Sequence, residues 1–199
     1  MCPYLRLTFA VSLTAISRVG YTPPAMQNVR VKIRGVAPML QNRYPMETES
    51  EETARRRDEK FDPKEDAEKA LYRNKDGCFV PSSWIEAALR DTAKEFKGKG
   101  RSSLKGTILS SVFVEPEEIP LGKKTYDEID RRPAVIQRQR IVKSRPRFNS
   151  WEIEFTINFD EERVKKEVLK EILIEAGKSK GIGDYRPKFG RFEVVKFEH

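Results

Sequence analysis

"WEIEFTINFD", residues 151–160, alternates from end to end. Trp151, Ile153, Phe155, Ile157 and Phe159 share one side, and Glu152, Glu154, Thr156 and Asn158 the other. A period of two with large apolar side chains on one face predicts a half-buried strand. Asp160 follows as the expected cap of a helix with Val164, Val168, Ile172 and Leu173 as its stripe and Gly177 as its stop. Beyond a glycine-rich loop, Arg191 to Phe197 predicts a final strand.

The same patterns recur upstream. In "VRVKIRG", residues 29–35, Val29, Val31 and Ile33 face one side and Arg30, Lys32 and Arg34 the other, which predicts a strand with a basic outer face. Cys78 to Val80 predicts a short strand. A helix follows from about Ser83 to Phe96, with Ser83 and Glu86 spaced as a capping box and Ile85, Ala88, Leu89 and Phe96 at helical intervals. "TILSSVFV", residues 107–114, reads as a buried strand ended by Pro116, and Ala134 to Val142 as another.

The order β, α, β, β, β, α, β becomes βαββαβ when one strand is treated as an addition. The expected fold class is α+β, ferredoxin-like or RRM-like with an extra strand and insertions. Two helices cover one face of an antiparallel sheet and the other face is open. Residues 1–25 are expected to be a weakly structured extension ahead of a single domain at 26–199. A polar insertion spans about 41–69, where Asp62-Pro63 opens a short helix through Ala67, Ala70 and Leu71.

Composition narrows the chemistry. The 199 residues carry a net charge of +8, with 35% charged and 38% hydrophobic side chains. This balance favours a polyanion partner, while a charged surface kept for solubility gives the same total. The two cysteines, Cys2 and Cys78, form no metal-ligating pair and fit a reducing, cytoplasmic setting. The one histidine, His199, is the last residue, so histidine triads and histidine metal clusters are not expected. No stretch reaches the length of a membrane span. Neither a metal nor a cofactor is expected.

"GIGDYRPKFGRF", residues 181–192, invites comparison with a phosphate loop. A dinucleotide fingerprint needs its third glycine where Arg186 stands, and needs a helix after the loop rather than a strand. The loop is therefore expected to turn the helix into the last strand, with Gly181, Gly183 and Gly190 giving positive φ and close backbone approach. Arg186 and Arg191 beside it are candidate phosphate contacts.

Two other segments are strongly basic. Residues 97–106 contain Lys97, Lys99, Arg101 and Lys105 and no acid; residues 131–147 contain seven bases and no acid. In the second segment Arg138 and Arg140 are expected on one strand face, with Arg145 and Arg147 just beyond. Phe148 and Trp151 are candidate stacking platforms, a combination that suits single-stranded nucleic acid. The competing reading is a solvated face balanced by Glu152 and Glu154 across the sheet. Asp127, Asp130, Asp160 and Asp184 read as caps or turn residues rather than catalysts.

Two of these motifs coincide in one family. "FVPSSWIEAALRDTAKEF", residues 79–96, resembles the strand-serine-helix motif of the RAMP superfamily, the repeat-associated mysterious proteins of CRISPR systems. "GIGDYRPKFGRFEV" resembles that family's glycine-rich loop, with Gly181, Gly183, Arg186 and Gly190 in matching places. Glu86 stands where the family usually has lysine, and Arg191 where it often has its final glycine. The resemblance implies an RRM-like fold and a non-catalytic, RNA-binding role on single-stranded, guide-type RNA. Homo-oligomers or effector-complex subunits are then the expected protein partners. It also admits two alternatives. One is a metal-independent endoribonuclease of the same superfamily. The other is a structural or assembly protein of a phage or prophage whose charges are only surface. The short chain length points to a stand-alone relative of phage or prophage type outside any CRISPR complex.

Overall fold

The computed structural model describes residues 26–44, 62–98, 100, 102–136 and 139–198, with backbone alone at 134–136 and 139–141. Its largest sheet has four strands: β1 (Met26–Gly35), β4 (Val112–Glu115), β8 (Glu152–Asp160) and β9 (Phe192–Glu198). Their order across the sheet is β4-β8-β1-β9, and every neighbouring pair is antiparallel. β1 lies between the strands that follow it last and next to last. That order is the one a βαββαβ chain makes when its helices lie on one face.

Alternation in the sequence explains which face is covered. Val29, Val31 and Ile33 of β1 and Ile153, Phe155, Ile157 and Phe159 of β8 are buried together. They meet Ile85, Ala88 and Leu89 of helix α2 (Ser82–Thr92) and Leu169, Ile172, Leu173 and Ala176 of helix α4 (Lys166–Ser179). The two helices also pack on each other. Burying a Leu, Ile or Phe side chain is worth about 1.5–3 kcal/mol, so this layer is the main source of stability. Arg30, Lys32 and Arg34 occupy the opposite, solvent-facing side of β1, as the alternation predicts.

The rest of the chain decorates this unit. Helix α1 (Pro63–Lys69) begins at Asp62, whose side chain accepts a hydrogen bond from the Lys64 N–H at 2.9 Å. β3 (Phe79–Pro81) pairs with β5 (Glu118–Pro120), and β2 (Met39–Leu40) adds to a long hairpin of β6 (Glu128–Ile136) and β7 (Gln139–Phe148). Asp66 of α1 accepts from the Ser144 N–H at 2.7 Å and ties the short helix to that hairpin. Among the described residues no helix is long and apolar enough to cross a membrane.

Several local expectations are corrected. Ser83 makes no cap bond: α2 begins one residue earlier, behind Pro81, and the Glu86 carboxylate accepts from the Val114 N–H at 3.1 Å instead. Residues 107–114 are not one strand. Helix α3 (Lys105–Ser111) takes the first part because Ile108 and Ser111 turn inward at helical spacing, and β4 starts at Val112. Asp160 organises a turn, accepting from the Glu162 N–H at 3.0 Å, but α4 starts only after Lys165. Gly177 lies inside α4; the helix ends at Ser179, and the Gly181 N–H closes it on the Ala176 carbonyl at 2.8 Å. The basic run 131–147 is two strands rather than one, paired from Glu128↔Arg147 to Ile136↔Gln139.

Candidate nucleic-acid interface

The glycine loop is anchored from three directions. Within it, the Ile182 N–H donates to the Gly190 carbonyl at 2.9 Å. Toward β2, the Asp184 N–H donates to the Leu40 carbonyl at 2.9 Å and the Gly190 N–H to the Pro38 carbonyl at 2.8 Å. Toward the hairpin, Arg145 donates through Nε to the Asp184 carboxylate at 2.6 Å. Gly183 and Gly190 both have positive φ, at 84° and 74°. A Cβ on Gly183 would overlap the Leu40 carbonyl, and one on Gly190 the Ile182 carbonyl. Here glycine is required twice over, by dihedral and by close approach.

This scaffold presents three cations. Arg186, Lys188 and Arg191 are exposed. None has an ion-pair partner among the described residues. A cleft of about 450 Å³ opens beside Arg186, lined also by Asp91 of α2, Ser179 and Lys180 at the end of α4, and Asp184 and Tyr185 of the loop; Lys188 and Arg191 do not line it. Lys180 is held by Glu95 at 2.5 Å. The hydrogen bond from Lys94 holds the Asp91 carboxyl below its ordinary range, and the charge of Arg186 adds to this at longer range.

The other predicted cations are differently placed. On β1, Lys32 pairs with Glu152 at 2.6 Å, and Arg34 reaches Glu152 at 3.1 Å and Glu193 at 3.8 Å. The Glu152 carboxyl is lowered chiefly by the Lys32 hydrogen bond. Arg30 is exposed with no ion pair among the described residues. These three lie on the sheet face away from α2 and α4, so the structure separates them from the cleft, which the helices help to line. A broader groove of about 710 Å³ does open at their end of the sheet, but Glu152 and Glu154 line it as well as Lys32 and Arg34.

Of the two predicted hairpin cations whose side chains are described, one is buried and both are paired or packed against acids. Arg145 is 7% exposed, and Arg147 lies 3.5 Å from Glu128 across the strand pair. Glu152 and Glu154 do not balance the hairpin, as the competing reading had it; they face β1. Arg140 belongs to β7, opposite Val135, and Arg138 lies outside the described residues. Lys99 and Arg101 are also outside them, while Lys97 bridges to Ser103 and Lys105 opens α3, both exposed. The proposed platforms are corrected: Phe148 is fully buried and Trp151 is 4% exposed, with its indole N–H donating to the Ala37 carbonyl at 2.9 Å. Both are core residues.

The sequence reading missed Lys188 and Tyr185. Lys188 was visible inside the quoted loop as a third cation. Tyr185 was not legible, because only the folded backbone gives it a positive φ of 59°. Among the described residues no cluster of three or more His, Cys, Asp or Glu could hold a metal ion.

No family model and no curated protein matches this chain. Among solved structures it is similar to a chain of the "Type III-B Cmr-beta bound to cognate target RNA", at 13% identity and a TM-score of 0.49 over 87% of its own length. It spans only 60% of that chain. It is also similar to Cmr6 from Pyrococcus furiosus, at 11% identity and a TM-score of 0.47, covering 88% of this chain and 99% of that one. At these identities and scores neither likeness says what this chain binds.

Proposed function

We propose that the chain is a non-catalytic RNA-binding protein that grips the phosphate backbone of a single strand with the loop around Arg186, Lys188 and Arg191. One observation carries this reading. Among the described residues these cations have no carboxylate ion-pair partner, on a loop clamped to β2 and β7, whereas Lys32, Arg34, Arg145 and Arg147 are each taken up by an acid. Unpaired cations on a fixed backbone keep their full charge for an anion and lose little freedom on binding it. The motifs of residues 79–96 and 181–194, with their resemblance to the RAMP superfamily, support RNA as that anion.

Phosphate contacts give a salt dependence with a slope of about −0.7 per contact on a single strand. Fluorescence anisotropy with a labelled single-stranded RNA at 50 and 200 mM salt tests this. Three contacts predict a slope near −2. Absence of binding at micromolar protein, or affinity indifferent to salt, contradicts the proposal. Site-specific cleavage of the RNA in EDTA would replace it with the endoribonuclease.

A further inference from the structure

The loop carries a feature that its charge does not explain. Among the described residues Tyr185 is the one non-glycine residue with positive φ. An aromatic side chain is rarely found there, and such positions concentrate at ligand clamps. The Tyr185 ring is nevertheless 47% exposed. Burial therefore does not explain the disfavoured backbone.

The ring is held by two neighbours. The Arg132 guanidinium lies over it at 5.3 Å, and Phe189 meets it edge-on at 6.1 Å between centroids. Arg132 is itself fixed by the Asp130 carboxylate at 2.6 Å, and lies over the Phe189 ring at 4.8 Å. Asp130, Arg132, Phe189 and Tyr185 thus form one braced stack running from β6 to the rim of the 450 Å³ cleft. That volume lies within the range of small-ligand pockets, about 300–1,000 Å³. Arg186, next in the chain, lines the same cleft.

We propose that this cleft takes one nucleotide of the bound strand, its base stacked on Tyr185 and its phosphate against Arg186. The inference rests on the RNA-binding reading and adds base contact to it. Every base has a π face, so the stack selects single strands over duplexes without selecting sequence. A rigid, partly exposed ring braced by a guanidinium is suited to that contact, and Arg186 supplies the charge that a stacked base alone lacks.

The test uses a labelled ten-residue oligoadenylate, an abasic strand of the same length, and adenosine monophosphate. Tyr185→Asn removes the ring and keeps a residue that tolerates the left-handed backbone. It is expected to weaken oligoadenylate binding about 5- to 150-fold, the range of base–aromatic stacks, with the salt slope unchanged. Tyr185→Phe should stay within about threefold of wild type, because the stack needs the ring and not the hydroxyl. Wild-type protein should prefer oligoadenylate to the abasic strand by a similar factor. That comparison stands even if Tyr185→Asn does not fold.

Equal wild-type affinity for the oligoadenylate and the abasic strand overturns the nucleotide cleft and leaves the phosphate grip standing. So does unchanged binding by Tyr185→Asn. If wild type binds no RNA, titration with adenosine monophosphate by NMR decides: shifts at Tyr185 and Arg186 retain the cleft, and none overturns it together with the RNA reading.

Discussion

Arg145 and Asp184 meet at 2.6 Å and join β7 to the glycine loop across 39 residues of sequence. Arg145 is almost wholly buried, while the Asp184 side chain keeps about a third of its exposure. The pair is therefore asymmetric. Removing the acid strands a buried guanidinium; removing the base leaves a carboxylate that water can still reach. Asp184→Ala is expected to destabilise the fold by roughly 2–4 kcal/mol, and Arg145→Met by about 1–2 kcal/mol, in urea unfolding. The reverse order would show that the pair is solvated and does not hold the loop.

Glycine is needed at position 190 for a reason that position 122 lacks. Both have positive φ, at 74° and 70°. A Cβ at 122 meets nothing within 4 Å, whereas at 190 it would overlap the Ile182 carbonyl. Gly122→Ala should cost about 1–2 kcal/mol, the penalty of the left-handed conformation alone. Gly190→Ala should cost clearly more in the same thermal or urea unfolding, because the Ile182–Gly190 hydrogen bond must break or shift. Equal costs would mean that the loop yields easily.

Ser83 and Glu86 form the spacing of a capping box but do not act as one. Ser83→Ala should leave stability within about 0.5 kcal/mol, against roughly 1 kcal/mol for a true cap. Glu86→Ala should cost about 1–3 kcal/mol, since it removes the acceptor from the Val114 N–H on the outer edge of β4. A costly Ser83→Ala with a silent Glu86→Ala would contradict the observed hydrogen bonding.

Glu152 links stability to pH. Its carboxyl is lowered in the folded chain, first by the Lys32 hydrogen bond, with Arg34 assisting. A carboxylate with a depressed folded pKa contributes stability above its unfolded value, about 4.3, and loses it as pH falls through the folded value. Wild type should therefore melt above Glu152→Gln at pH 7, and the difference should close as pH is taken below 4. The pair is exposed, so the difference should also shrink with added salt. A gap that stays constant as the pH falls would show that Glu152 acts through packing and not through charge.

What the sequence made legible follows from the range of the interactions. β1, β8 and α4 were readable because their apolar periods are long and unbroken, whereas the alternation of β9 breaks at Val195. The boundary between α3 and β4 was not, since "TILSSVFV" is a short apolar run that fits either period. The hairpin was missed because Gln137 and Arg138 carry none of the glycine or asparagine signals of a tight turn. The glycines of the loop were understood correctly as positions of positive φ and close approach. Which cations were free was hidden, because each pairing acid arrives from a distant segment: Glu152 for Lys32 and Arg34, and Asp184 for Arg145. Phe148 and Trp151 looked like platforms only while their burial was unknown.

The central claim is that the loop, and not the basic face of β1, meets the nucleic acid. It is tested most directly by anisotropy of a labelled single-stranded RNA with two double variants, Arg186→Ala/Arg191→Ala and Arg30→Ala/Lys32→Ala, at 50 and 200 mM salt. The loop variant should bind at least tenfold more weakly and lower the salt slope by about 1.4, the share of two phosphate contacts. The β1 variant should stay within about threefold of wild type, because Lys32 is already spent on Glu152. Loss of binding in the β1 variant with unchanged affinity in the loop variant would contradict the account and move the interface to the open face of the sheet.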